Sequence, residues 1–212
     1  DPQTGELTVP EIGPKGFARE PGGPELIFRD YTVLSIDREI PELAVDFVLH
    51  DHGIAGRWAA QAEPGAQLGV LGPRGSVHYP DGYAWYLIGG DETALPALAR
   101  WIAELPATAH VTAVISVASE AERQLLTCAA DRDIRWVVRD PGIADAWQQA
   151  VRAVALPADD DYYVWLAGEA GTLVPLRRYF RDEVGLPRDR YSIDGYWKKG
   201  VVNLDHHASD DE

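Results

Sequence analysis

The stretch Trp85-Tyr86-Leu87-Ile88-Gly89-Gly90-Asp91-Glu92-Thr93-Ala94-Leu95-Pro96-Ala97-Leu98-Ala99-Arg100-Trp101 decides the fold. Trp85 to Gly89 is an apolar run too short for a helix, the two glycines mark a turn, and Thr93 can cap a helix whose apolar face is Leu95, Leu98 and Ile102. In an α/β sheet a strand-turn-helix junction lies at the carboxyl end of the strand, where backbone N–H groups and the helix dipole favour an anionic ligand such as a pyrophosphate. A tight turn made for packing alone reads the same way, and Asp91 and Glu92 would serve a helix start as well as a ligand.

Outward from this junction the pattern repeats. Strands are expected at Val111 to Val117, Ile134 to Val138 and Tyr162 to Ala167, and helices at Glu120 to Ala130, Ala144 to Ala155 and Gly171 to Glu183. Alternating strands and helices favour a doubly wound parallel sheet covered on both faces, an α/β domain. Tyr191 to Gly200 closes it, either as an edge strand blunted by lysines or as a pocket wall of aromatic rings and cations.

The first third is β-rich. Residues 1 to 24, with their prolines and glycines, read as an irregular lead-in. Tyr31 to Ile36 and Leu43 to His50 alternate like strands that pair antiparallel across a hairpin-length connection. Gly53 to Ala62 is a short helix behind glycines, and Gln67 to Leu71 a third strand.

Composition narrows the function. A net charge of −15 over 212 residues argues against nucleic-acid binding, which needs a basic surface, and no apolar run approaches the ~20 residues of a membrane span. Cys128 is the only cysteine, so no internal disulfide or cysteine metal cage can form; it fits a reducing compartment, and its alanine-rich, helical-looking neighbourhood suggests an inert thiol. No metal site is expected. Asp159-Asp160-Asp161 cannot converge on one ion in a strand, and His50-Asp51-His52 lacks the carboxylate spacing of a zinc enzyme. No nucleophile-base constellation stands out. Glycine-bearing turns in the β-rich part and at the strand-helix junction suggest two nucleotide-like ligands, the layout of a flavin reductase.

Arg29-Asp30-Tyr31-Thr32 resembles the Arg-x-Tyr-Ser/Thr flavin motif of the ferredoxin-reductase superfamily. The runs Val45 to His50, Gly56-Arg57-Trp58-Ala59, Gly72-Pro73-Arg74-Gly75, Gly90 to Ala97, Ala167-Gly168-Glu169 and Gly195 to Gly200 resemble, in order, motifs of the siderophore-interacting proteins. The resemblance implies a Greek-key flavin-binding β-barrel followed by the α/β domain: residues 1 to 80 for FAD and 81 to 200 for NADH or NADPH. The acidic, polar run from 201 to 212 reads as a disordered tail.

The resemblance also implies roles. Tyr31 would lie on the isoalloxazine ring, Arg29 on the flavin phosphate and Thr32, the candidate catalytic residue, near flavin N5. His50 would wall the flavin pocket, and the turn through Ala55, Gly56 and Trp58 would cradle the pyrophosphate. Gly90, Asp91, Glu92, Thr93, Gly168 and Glu169 would receive the nicotinamide cofactor. Lys198, Lys199 and Arg74 would dock an anionic ferric siderophore; Lys198 stands where the family usually carries arginine, which keeps the charge and loses the planar fork. Ser119 and Arg123 suit a 2′-phosphate, whereas Glu120 suits a free 2′-hydroxyl.

The family barrel has strands ahead of the Arg-x-Tyr-Thr motif, where this chain offers only its lead-in. Either upstream residues belong in front or the barrel lacks its first strands, and the absence of methionine even at position 1 predicts a chain that begins after processing or inside a longer polypeptide. The implied activity is ferric-siderophore reduction by a cytoplasmic monomer, with a ferredoxin as an optional electron partner. A general NAD(P)H- or ferredoxin-dependent flavin reductase, or a non-enzymatic siderophore-binding module, is the alternative.

Overall fold

The structure, a computed structural model, describes residues 7, 9–13, 16–18, 27–50, 53–72 and 78–202. They form two compact units: residues 1–31 with 47–78, and residues 32–46 with 79–212. In chain order the elements are β1 (Glu11–Gly13), β2 (Gly16–Ala18), β3 (Ser35–Asp37), β4 (Glu42–Ala44), α1 (Ile54–Gln61), β5 (Trp85–Gly90), α2 (Leu95–Glu104), β6 (His110–Val117), β7 (Asp131–Val138), α3 (Ala146–Arg152), β8 (Tyr162–Glu169), α4 (Ala170–Arg178) and β9 (Tyr191–Trp197).

The second unit carries the five-stranded sheet, in the order β7-β6-β5-β8-β9 with every neighbouring pair parallel. Side chains of a strand alternate between faces, and the core divides accordingly. Tyr86 and Ile88 of β5, with Val111, Ala113 and Ile115 of β6 and Trp165 of β8, pack under Leu98, Trp101 and Ile102 of α2. Leu87, Val114, Val164 and Leu166 meet Trp147 and Val151 of α3 and Leu173 and Leu176 of α4 on the other face. Both faces are covered, as the alternating pattern predicts, and β9 is the expected edge strand. The chain order reverses between β5 and β8, so the crevice outside their carboxyl ends is where such a sheet binds ligands.

The glycines of the opening stretch are demanded by packing. A Cβ at Gly89 would lie 2.5 Å from the Val114 carbonyl oxygen; one at Gly90 would collide with the Ala167 carbonyl oxygen and lie 2.6 Å from Ala94 Cβ. Thr93 does not cap α2. Asp91 closes the turn instead, its Oδ1 accepting from Thr93 N at 2.9 Å while Ala94 N donates to the Asp91 carbonyl oxygen at 3.0 Å.

Other expectations are corrected. The segment Glu120 to Ala130 is not a helix: it has one 3₁₀ turn at Glu120–Glu122 and then runs without helix into β7. Parallel β6 and β7 start level, His110 beside Asp131, so the return must span an eight-residue strand, about 26 Å. Eleven helical residues rise only about 16 Å, whereas the eight from Arg123 to Ala130, extended, cover about 26 Å. Cys128 is accordingly outside any helix, half-buried, with its Sγ–H on the Ala130 carbonyl oxygen at 3.2 Å.

In the lead-in, β1 and β2 form a short antiparallel ladder where irregular chain was expected. The expected antiparallel hairpin exists as β3–β4, but each strand is only three residues long, and its turn is held by Asp37 Oδ1 accepting from Glu39 N at 2.8 Å. Residues 45–50 and 67–71 are in no ladder. Among the described residues no closed barrel is present. No described helix is long and apolar enough to cross a membrane.

Candidate active site

Two carboxylates dominate the crevice between β5 and β8. Asp91 follows β5 and collects donors from three parts of the chain: Thr93 N and Oγ1 on Oδ1, at 2.9 and 2.5 Å, and Glu169 N and Trp197 Nε1 on Oδ2, at 3.0 and 2.9 Å. Gly168 makes room for it. With φ at +146° and no side chain, it sits where a Cβ would come within 2.7 Å of Asp91 Oδ2. Glu169 ends β8 and caps α4, accepting from Thr172 N at 2.6 Å and Lys199 N at 3.1 Å. The sequence reading placed Gly90, Asp91, Glu92, Thr93, Gly168 and Glu169 in one crevice; the structure brings all but Glu92 together there, because the Glu92 side chain turns to Ala118 and Arg139. Their carboxylates, however, are engaged by protein donors.

Glu92 faces the β6–β7 side. It pairs with Arg139 through two hydrogen bonds, that to Nη1 at 2.6 Å, and accepts from Ala118 N at 2.8 Å. Ser119 and Arg123 lie in the same loop but are already partnered, Ser119 Oγ with Glu122 at 3.5 Å and Arg123 Nη2 with Glu120 at 2.6 Å. Arg139 was missed by the sequence reading: it is separated from Glu92 by 47 positions, and no local spacing links them.

Burial alone would push the Glu92 carboxyl up, but the Arg139 guanidinium and hydrogen-bond donors hold it below its usual range. In Glu169, too, burial is outweighed, here by the N–H groups of Lys199, Thr172 and Gly171, and its pKa is lowered. A carboxyl group depressed in the folded state stabilises above its unfolded pKa of about 4.3 and loses that contribution as pH falls through the folded value. Tm followed by circular dichroism should therefore decline as pH drops below about 4.5, and Glu92→Gln should flatten that decline.

The β9 end brings in Thr32, Lys198 and Lys199. Tyr196 packs edge-on against Trp165 at 6.3 Å and hydrogen-bonds the Thr32 side chain; burial pushes its phenol up, so it stays neutral. Lys198 and Lys199 are exposed, and among the described residues no carboxylate pairs with either ammonium group. Arg74, the third cation assigned to the chelate, lies outside the described residues, as do His52 and the tail from 203. Among the described residues no cluster of metal-ligating side chains occurs.

The remaining candidates belong to the other unit. Tyr31, 41% exposed, leans on Phe47 at 4.5 Å, and Phe47 on Trp58 at 5.9 Å. The tyrosine is thus backed by protein and remains partly exposed. Arg29 donates from Nη1 to the Phe28 carbonyl oxygen at 2.6 Å. Gly53, at φ +86°, opens α1, whose first turn has neither a side-chain cap nor an acidic residue. Gly56 is buried: a Cβ there would lie 3.3 Å from both the His50 ring and the Val48 carbonyl oxygen. His50 and Arg57 line a groove of about 400 Å³ beside this helix. Uncapped N–H groups, glycines that permit close approach and a half-exposed aromatic ring suit a flavin dinucleotide.

Comparison with known proteins identifies the family. Residues 1–77 match the family model for a siderophore-interacting FAD-binding domain, and residues 83–200 that for siderophore-interacting protein. The chain is 38% identical over 180 residues to the NADPH-dependent ferric-chelate reductase of Escherichia coli K12, covering 84% of this chain and 68% of the relative. It is 30% identical over 182 residues to the ferric vibriobactin reductase ViuB of Vibrio cholerae, with 84% and 67% covered. Among solved structures it resembles a siderophore utilization protein from T. fusca, at TM-score 0.87 and 46% identity over 98% of this chain and 80% of that one. The siderophore-interacting protein SipS of Aeromonas hydrophila is similar at TM-score 0.74 and 30% identity, over 92% and 77%. With matches over both parts of its length, the chain belongs to the siderophore-interacting protein family.

Proposed function

We propose that this chain is a ferric-siderophore reductase that uses FAD and NADH or NADPH and frees iron as Fe(II). The observation that carries the reading is the β9 end: two ammonium groups with no ion pair among the described residues, on an otherwise acidic protein, beside the switch-point crevice of the parallel sheet. Relatives named as ferric-chelate and ferric vibriobactin reductases support it.

Residues 1 to 80 are the FAD-binding part, built on the plan of a Greek-key barrel, and 81 to 200 the nicotinamide-nucleotide part, with a tail from 201. FAD, when bound, supplies the conversion of a two-electron hydride from NAD(P)H into single-electron steps. Tyr31 offers the flavin ring its exposed part, and Arg29 and the first turn of α1 through Ala55 and Gly56 take the phosphates, with His50 and Trp58 as walls. Thr32 holds a hydroxyl near flavin N5, its rotation limited by Tyr196. Gly90 to Thr93 and Gly168 and Glu169 bind the nicotinamide nucleotide through their backbone. Lys198, Lys199 and Arg74 neutralise an anionic chelate. Hard oxygen ligands hold Fe(III) more firmly than the softer Fe(II), so reduction loosens the metal. The protein works as a cytoplasmic monomer, and a ferredoxin is the alternative donor.

The test is the visible spectrum of FAD-loaded protein under anaerobic conditions. Flavin absorption should bleach with NADH or NADPH and recover on adding a ferric chelate while an Fe(II) indicator colours. Bleaching without recovery would leave a general flavin reductase, and protein that takes up no FAD would leave the binding module. Replacing Lys198 and Lys199 with glutamine should raise the KM for an anionic ferric chelate about ten-fold at low salt and much less at high salt, with FAD content unchanged.

A further inference from the structure

At the end of β9 the register with β8 slips: Gly168 faces Gly195, but Glu169 faces Trp197, leaving Tyr196 as the extra residue. A bulge re-aims the side chains beside it. Here successive residues find different anchors: Tyr196 takes Thr32, Trp197 donates its Nε1–H to Asp91, and Lys199 donates its backbone N–H to Glu169. Lys198, between the last two, is exposed and carries no ion pair among the described residues.

Trp197 is 41% exposed, so burial does not fix it. Its indole N–H does, on a carboxylate that also takes the Glu169 N–H at 3.0 Å and for which Gly168 leaves space. The strands on either side of the switch point thus each send a carboxylate to a residue flanking Lys198. We propose that Asp91 and Trp197 are positioning residues that, with Glu169, clamp the strand end and present the Lys198 ammonium to an anionic ferric chelate. This rests on the reductase reading of Lys198. A cation held on a restrained backbone binds with less ordering to be done at the moment of contact.

Trp197→Phe removes the one donor and keeps an aromatic ring. In FAD-loaded protein the KM for trianionic ferric tris-catecholate should rise about five-fold, the equivalent of one net hydrogen bond, with that for neutral ferric tris-acetohydroxamate unchanged. FAD content and the rate of bleaching by NAD(P)H should match wild type. In a Lys198→Gln background Trp197→Phe should add nothing. Independently of activity, trypsin should cut after Lys198 or Lys199 about five-fold faster in W197F, because a loosened segment opens more often.

An unchanged KM, an equal rise for both chelates, additive effects with Lys198→Gln or unchanged trypsin cleavage would each overturn the clamp. Should W197F fold poorly, Asp91→Asn, read on the ratio of the two KM values and on trypsin cleavage, should show a smaller shift in the same direction; no shift would overturn the clamp. Wild-type protein whose bleached flavin no ferric chelate reoxidises would overturn the reductase reading instead, and trypsin cleavage would then decide whether the clamp itself exists.

Discussion

Gly90→Ala will cost about 3 kcal/mol of folding stability and lower Tm by roughly 6 to 12 °C. The added Cβ has nowhere to go. It meets the Ala167 carbonyl oxygen on one side and Ala94 Cβ, 2.6 Å away, on the other. Neither is the far end of a flexible side chain. Relief requires β8 to part from β5, breaking the ladder in which Gly90 faces Ala167, or α2 to lift from the sheet. Both movements disturb the crevice, so the variant should also bleach more slowly with NAD(P)H at temperatures where it is still folded. Guanidinium unfolding followed by tryptophan fluorescence measures the loss. A Tm within about 2 °C of wild type would mean that strand and helix are seated far less tightly than their contacts imply.

Trp101→Ala should be costlier still, about 4 kcal/mol, in the range for removing a buried tryptophan. Trp101 is 4% exposed and sits at the centre of an aromatic cluster. Tyr79 stacks on it at 4.0 Å with planes 5° apart, while Tyr86 and Trp165 each meet it edge-on at 5.7 Å. Aromatic pairs add to the loss beyond buried area. The cluster continues from Trp165 to Tyr196 and so to Thr32. Chelate reduction should therefore fall further than the folded fraction accounts for, whereas Trp101→Phe, which keeps most of the contacts, should retain both stability and turnover. Equal losses in the two variants would place the importance of the site in the indole rather than in packing.

The sheet was legible because buried parallel strands announce themselves as short apolar runs. Trp85 to Gly90 and Tyr162 to Ala167 contain little else, and their partners could be inferred from the helical pattern between them. Helix propensity misled at Glu120 to Ala130. Glutamate, alanine and leucine favour a helix locally, but the span back to Asp131 requires extended chain, and tertiary geometry overrides a preference of tenths of a kcal/mol per residue. Leu125, 87% exposed, marks how little of that segment the core needs. Strand-like alternation at Leu43 to His50 could not say whether a neighbour would pair with it, and only Leu43 and Ala44 of that run lie in a ladder.

In the site, the motif residues were legible and their partners were not. Asp91 and Glu169 stood out beside glycines at strand ends, but Asp91 meets Trp197 across 106 positions and Glu169 meets Lys199 across 30. Nothing in one sequence encodes such pairings. The Asp-x-Thr spacing at Asp91 did hold a readable signal, since aspartate commonly bonds the backbone two residues on; it marks a turn from Asp91 to Ala94 and so a helix that starts at Leu95.

The hairpin of β3 and β4 shares its compact unit with the parallel sheet, although most of the flavin motif, from Arg29 to Tyr31, stays with the other unit. Arg100 reaches the Val33 carbonyl oxygen at 3.0 Å, and Tyr196 reaches Thr32. Recombination between relatives is therefore constrained in an unexpected place. A chimera with its single crossover near residue 78 would inherit Val33 and Thr32 from one parent and Arg100 and Tyr196 from the other, mixing two lineages inside one packed unit. Grafting 32–46 together with 79–212 keeps those partners from a common ancestor, at the expense of three junctions instead of one.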